Sequence, residues 1–523
     1  MRRSCFAVWS SLAVALAACD VDDVTVSGYQ LTDGGSTTEE RDGGLDARAM
    51  DAATPRDAAT EPDVSAVDAL PPSDPEAPSA PLLAEIRQVD GRFVLHVRNL
   101  TNGGAVAHGA DERMPGAGLH RLFVVAAYLK QVQAGTLNPD TEVPFALDDY
   151  RAGGASETSE AKAGAAIKLS SLASLTLLAG DVTAEELLVR AVGGSAAVQR
   201  FVDTLDVPGI GRYASPCELD RAFASRLDPR LEAVDCRALA KLLREDDARA
   251  LVPSIFSDAP AFTDLQRFDA WRGVEADGLS TVTAAGFGDV LARLEARTLG
   301  DAALSEALRG LLDRALGAGG GGNDLPDGVW ISNLQGPTFR GRAWAGLVRG
   351  SDAPVAVVLI ADGARSPNAL GGQFDRASAL AWEQVVGPID LTLPAAPIEG
   401  PTWLRGVFLH TPDDVVGCNE MFADDFEALL TCRRDHQRAA FTERDALAAT
   451  VMVNDGPAVE ATWLWTEPEG ARHRYQVRLN EGGWWAWTRS YPAQSLGTWR
   501  LDVWLNGRPV FLSSFPVAAA PAP

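Results

Sequence analysis

The run Glu112–Gly135, ERMPGAGLHRLFVVAAYLKQVQAG, constrains this chain more than any other. From Leu119 to Val132 nearly every turn is apolar on all sides, through Leu122, Phe123, Val124, Val125, Ala126, Ala127 and Leu129. A helix without a polar face is stable in water only when other elements wrap it, so the run predicts a helix at the centre of a large domain. Gly135 supplies its stop.

A chain of 523 residues exceeds one ordinary domain. Met1–Ala18 carries Arg2 and Arg3, then apolar Phe6, Val8, Leu12 and Val14, and then Leu16-Ala17-Ala18-Cys19. This resembles the signal and lipobox of a bacterial lipoprotein, with residues 1–19 removed or modified and Cys19 acylated as the first mature residue. An ordinary secretory signal is the alternative, since Ala15 and Ala17 also suit cleavage. Residues 20–80 hold fifteen acids against three arginines and almost no aromatics, the composition of an acidic, disordered tether. That segment carries nearly half of the chain's formal charge of −25, and such acidity argues against nucleic acid as a partner. The expected location is a bacterial cell envelope, periplasmic or cell-surface, with the membrane as partner through the N-terminal lipid. A large domain is expected over 81–387, a proline-rich linker over 388–401 and a small domain over 402–523.

Beyond Cys5 and Cys19 the chain has Cys217, Cys236, Cys418 and Cys432. Each two lie close together, on opposite sides of the domain boundary, which predicts Cys217–Cys236 and Cys418–Cys432 disulfides in an oxidising compartment. No metal site is expected, because no second cysteine or histidine is read at finger-like spacing from any of the four. No cofactor is expected either.

In the large domain, alternation over Ala84–Leu100 on both sides of Asp90-Gly91 predicts a hairpin turning there. Helices are predicted over Leu169–Leu178, Thr183–Val192 and Ser195–Leu205, strands over Gly328–Ile331, Arg342–Arg349 and Val355–Ala361, and a closing helix over Gln373–Val386. Two strands, a helical middle, three strands and a last helix make an α+β class: an antiparallel sheet built from both ends of the domain, with a helical lobe inserted.

Local motifs strengthen that order into a resemblance to the class A serine β-lactamases and penicillin-binding proteins. Their central helix begins Ser-x-x-Lys, preceded by a segment like Glu112-Arg113-Met114-Pro115. On that pattern the serine falls at Gly118 and the lysine at Arg121. Glycine has no side chain to attack a carbonyl, and a guanidinium stays protonated, so neither replaces what it stands for. The segment LTLLAGDVTAEELLVRAVGGSAAVQRFVDTLDV resembles the surroundings of the Ser-Asp-Asn motif and carries Gly180, Asp181 and Val182 at its three positions. Only the aspartate remains, whose implied role is to support the loop. DGVWISNLQG corresponds to the Lys-Thr-Gly strand and puts Leu334, Gln335 and Gly336 in its places. The catalytic glutamate of the Ω-loop falls nearer Pro216, with Glu218 as a displaced candidate.

Loss of a nucleophile alone costs about a million-fold in turnover in a well-studied serine hydrolase. The resemblance therefore implies a β-lactamase-like fold and a pseudoenzyme that binds or scaffolds, with a cell-wall peptide, a glycan or an envelope protein as partner. His120, Arg121, Arg340 and Arg342 are the candidates for meeting a ligand in the cleft. The alternative is an active β-lactamase or related serine amidohydrolase with rearranged catalytic residues.

The small domain shows seven alternating runs at sandwich-like spacing: Trp403–His410, Ala448–Asn454, Val459–Thr466, Arg474–Leu479, Trp484–Thr488, Trp499–Leu505 and Pro509–Phe515. Asn506-Gly507 signals a type I′ hairpin. An all-β immunoglobulin-like sandwich is predicted. Trp484 and Trp485 are adjacent, so on a strand one of them faces outward as a candidate aromatic platform.

Overall fold

The computed structural model describes residues 74–520, apart from 152–157, 245–261, 315–320, 351–352, 366–368, 389–402, 412–417, 419–425, 455–456, 480–483 and 494. Cys19, nearly all of the acidic tether and the linker from 389 onward lie outside the described residues, as do the side chains of Trp484 and Trp485. Among the described residues no helix is long and apolar enough to cross a membrane.

The first element corrects the hairpin expected around Asp90-Gly91. A helix forms instead, α1 (Ala80–Ile86), with Pro81 in the first turn, where its missing N–H costs nothing. Leu82 and Ile86, four residues apart, are both buried, a spacing that a helical turn satisfies. β1 (Arg92–Asn99) then pairs with β2 (Ala105–His108), so the turn falls at 100–104. Within the span expected as tether, the Glu76 amide donates to the Ala105 carbonyl at 2.8 Å, outside β2.

β3 (Trp330–Thr338), β4 (Gly341–Arg349) and β5 (Val355–Asp362) complete a five-stranded antiparallel sheet in the order β2-β1-β5-β4-β3. β5 lies at its centre with every residue buried, as a strand covered on both faces requires. The apolar run forms α2 (Arg121–Gln133), buried continuously from Leu122 to Leu129. Around it pack α3 (Val182–Ala191) and α4 (Ser195–Leu205), while α5 (Pro216–Leu227), α6 (Cys236–Arg244) and α7 (Asp264–Ala276) pack on one another in two smaller clusters, and α8 (Ala284–Glu295) and α9 (Ala302–Leu312) return to α2. One core joins α2, α3, α4, α8 and α9 to one face of the sheet. On the other face, Phe93, Leu95 and Val97 meet α1 and α10 (Leu370–Val385) through Phe374, Ala377 and Trp382.

Among the described residues the C-terminal region is mainly β, with a helix α11 (Phe426–Asp435). Its strands are β6 (Leu404–His410), β7 (Phe441–Thr442), β8 (Ala446–Asn454), β9 (Val459–Thr466), β10 (Arg472–Leu479), β11 (Trp484–Pro492), β12 (Gly497–Leu505) and β13 (Arg508–Ala518). They make two sheets, β6-β8-β11 and β7-β13-β12-β9-β10, which share a core holding the fully buried Trp463, Trp465 and Trp499. Asn506 and Gly507 have φ of 48° and 71°, the paired positive values of the type I′ turn. Both expected disulfides are present, Cys217–Cys236 and Cys418–Cys432, with Cα separations of 5.4 and 5.8 Å.

The two domains are joined by buried polar contacts. Arg474 on β10, 2% exposed, donates to the carbonyls of Leu325, Pro326 and Val329 at 2.7, 2.8 and 3.2 Å. Gln476 accepts from the Ile331 amide at 2.9 Å and donates to the Val329 carbonyl at 2.9 Å. The segment entering β3 is thus fastened to the edge of the C-terminal sandwich.

Candidate active site

Three separate stretches meet at the head of α2. Residues Ala117–His120 form a tight turn that runs into the helix, and Ala117 has φ 45°, a left-handed backbone that a residue with a Cβ seldom adopts. Gly118 follows it, pressed backbone to backbone on β3. A Cβ on Gly118 would run into the Gln335 carbonyl and stand 2.8 Å from Nη1 of Arg121, while a Cβ on Gly336 would stand 2.5 Å from the Gly118 nitrogen. Gly180 completes the set: its φ is 67°, and a Cβ there would lie 2.7 Å from the same Nη1. Gly118 and Gly336 therefore meet directly, and Gly180 reaches them through the Arg121 guanidinium. A side chain at Gly118 is barred by strand backbone, and one at Gly180 would displace the guanidinium.

Arg121 is held in this position by charge. Its Nε lies 3.1 Å from Oε2 of Glu185 on α3, and Tyr213 Oη donates to Oε1 at 3.2 Å. Burial pushes the Glu185 carboxyl up, opposed by the Arg121 charge and hydrogen bond and by the Tyr213 hydrogen bond. Burial, followed by the Glu185 charge, raises the Tyr213 phenol. A buried pair of this kind is a positioning device, since separating it strands a charge. The neighbouring Glu186 accepts from the Cys217 amide at 2.9 Å and the Ser215 hydroxyl at 3.2 Å, and so pins the start of α5. Glu185, Glu186 and Tyr213 were missed from sequence; the Glu-Glu pair one turn beyond Asp181 was the available signal.

The remaining expected residues fall as follows. Asp181 is 1% exposed and caps α3, accepting from the Ala184 amide at 2.8 Å and from the Thr158 hydroxyl. Val182 is the first residue of α3, and Leu334 is a buried β3 residue in the main core. His120 is corrected as a ligand contact: it is 2% exposed, packed edge-on against Phe123, and burial pushes its imidazole down to about 4. Arg340 pairs with Asp264 of α7 at 2.9 Å, with the Phe268 ring 5.9 Å from its guanidinium. Arg342 donates to the Gln335 side chain on the next strand. Glu218 belongs to the capping box of α5, accepting from the Ser215 amide at 2.9 Å, which leaves it no part as a displaced base.

A depression of about 580 Å³ opens beside Arg113, Gly211, Arg212 and Asp277, and none of the motif positions lines it. Residues able to ligate a metal do stand together in the C-terminal domain. His436 stands four residues after Cys432, and its Nδ1 lies 3.8 and 3.7 Å from the Cys418 and Cys432 sulfurs.

Comparison with known proteins bears on the large domain. The model of a family described as the β-lactamase enzyme family matches residues 80–385. A β-lactamase structure from Xanthomonas campestris pv. campestris str. ATCC 33913 is 18% identical, covering 59% of this chain and 97% of that one, with a TM-score of 0.43. One from Burkholderia vietnamiensis is 20% identical over 59% and 97%, TM-score 0.43. A class A β-lactamase from Mycobacterium abscessus is 16% identical over 57% and 95%, TM-score 0.42. Separately, a stretch of 108 residues is 32% identical to a queuine tRNA-ribosyltransferase of Agrobacterium fabrum (strain C58 / ATCC 33970); it is 20% of this chain and spans 27% of that protein.

Proposed function

This chain belongs to the β-lactamase enzyme family, and from that premise we propose that it is a membrane-tethered envelope lipoprotein whose lactamase-like domain has given up acyl transfer and serves in binding or scaffolding. The observation that carries the reading is the Gly118–Gly336 backbone contact with the Arg121 guanidinium beside it. Acyl transfer needs a nucleophile, a base within reach of it and a place for the carbonyl. At this position there is a bare backbone, a permanent cation paired to Glu185, and no room. The partner, a cell-wall peptide, a glycan or an envelope protein, is then met on an outer surface.

Incubation of the purified chain with benzylpenicillin, followed by intact-mass measurement, tests the catalytic half. No adduct is expected; a stoichiometric acyl-serine would overturn the reading and establish a serine amidohydrolase with rearranged groups. The tether is tested by fractionation: Cys19→Ser is expected to move the chain from the membrane pellet to the soluble fraction, and an unchanged distribution rejects the lipid anchor.

A further inference from the structure

The Cys418–Cys432 bridge has a neighbour that a covalent staple does not need. Cys432 lies on α11 and His436 follows its last turn, four residues on, so the two share one side of the helix. Nδ1 of His436 is 3.8 Å from the Cys418 sulfur and 3.7 Å from the Cys432 sulfur. Zinc–sulfur bonds of about 2.3 Å and zinc–nitrogen bonds of about 2.1 Å, meeting at a tetrahedral angle, put sulfur and nitrogen roughly 3.6 Å apart. The imidazole already stands at that separation from both sulfurs. The sulfurs are buried and the ring is exposed, which gives an ion a side to enter from. The other bridge differs: the group facing its Cys236 sulfur is the Arg221 guanidinium, at 3.5 Å, a cation that repels a metal.

We propose that Cys418, Cys432 and His436 form a binding site for a thiophilic divalent cation, zinc being the ion that fits, which reduction of the disulfide unmasks. A phosphine breaks the sulfur–sulfur bond and is itself oxidised to the phosphine oxide with the oxygen of one water, leaving two thiols. Binding of the cation releases both thiol protons, so affinity rises with pH. In the oxidised form the ring donates from Nδ1 to the Cys432 carbonyl at 2.8 Å. On binding, that proton moves to Nε2 and Nδ1 turns its lone pair to the ion. The sulfurs separate by about 2 Å to take up tetrahedral spacing, and water completes the four ligands.

The test uses the whole chain, reduced with a phosphine, desalted without air and titrated with Co(II) as the probe. The reduced chain is expected to bind one cobalt with a thiolate charge-transfer band, and the oxidised chain none. His436→Ala leaves both disulfides able to form; in the reduced state it is expected to weaken cobalt binding by more than about tenfold, the loss that removal of even an outer partner brings. Cys418→Ser with Cys432→Ser should abolish binding, with far-UV circular dichroism unchanged. Equal affinity in His436→Ala, binding that survives the double substitution, or a reduced chain that binds no cobalt or unfolds would each overturn the proposal.

Discussion

Gly118→Ser brings a Cβ and a hydroxyl into the Gln335 carbonyl, so helix or strand has to move before the side chain fits. The substitution is expected to lower stability by about 1–3 kcal/mol, the usual cost of overpacking, and to yield no penicillin adduct. Urea midpoints and intact mass read the two effects, and measurable turnover would show the closure to be breathable. His120 allows a sharper test. Its folded-state pKa of about 4 lies below its ordinary value of 6.5. Above pH 6.5 the imidazole is neutral folded or unfolded and contributes nothing; as pH falls toward 4 only the unfolded chain takes up the proton, so folding loses stability across that window. His120→Leu removes this loss. Its stability relative to the parent should rise between pH 6.5 and 4 by about 3 kcal/mol, at about 1.4 per pKa unit. The comparison has to be made against the parent, since Asp375, pushed up to about 7 by burial, acts in the opposite sense over the same range. A flat difference between the two proteins would place the ring in water.

Among the elements, α3 depends on its first polar group. Asp181→Ala removes the acceptor of the Ala184 amide and is expected to cost about 1–2 kcal/mol, whereas Asp181→Asn keeps an N-cap oxygen and recovers most of it. Thermal midpoints of the pair decide this; equal losses would mean that the charge, not the cap, matters. Elements with local signatures were legible in sequence. The largely apolar α2, the helix Ser195–Leu205, the strand Val459–Thr466 and the Asn506-Gly507 turn fall where pattern and turn chemistry put them. α1 was not, because seven residues give too short a window to separate a helical period from alternation. The motif positions were legible as substitutions. That Gly118 and Gly336 touch backbone to backbone was not, since contact between elements some two hundred residues apart leaves no periodic trace.

On the scale of the molecule, the joint at Arg474 sets what the domains can do separately. Arg474→Ala strands the Leu325 and Pro326 carbonyls, and at about 1–3 kcal/mol for each buried acceptor the loss should be about 2–5 kcal/mol. Calorimetry of the parent is expected to show a single transition that coincides with tryptophan fluorescence; the variant should melt lower or in two steps. Two well-separated transitions in the parent would mean that the joint carries no coupling. Nothing in the strand pattern marks Arg474 as buried, because an arginine in an alternating run reads as an outward-facing residue. A different consequence follows from β5, bonded along both edges and covered on both faces. Its amides can meet solvent only when the sheet itself comes apart, so in heavy water they should be the last in the described chain to take up deuterium, later than those of the loops around Gly180 and Gly336.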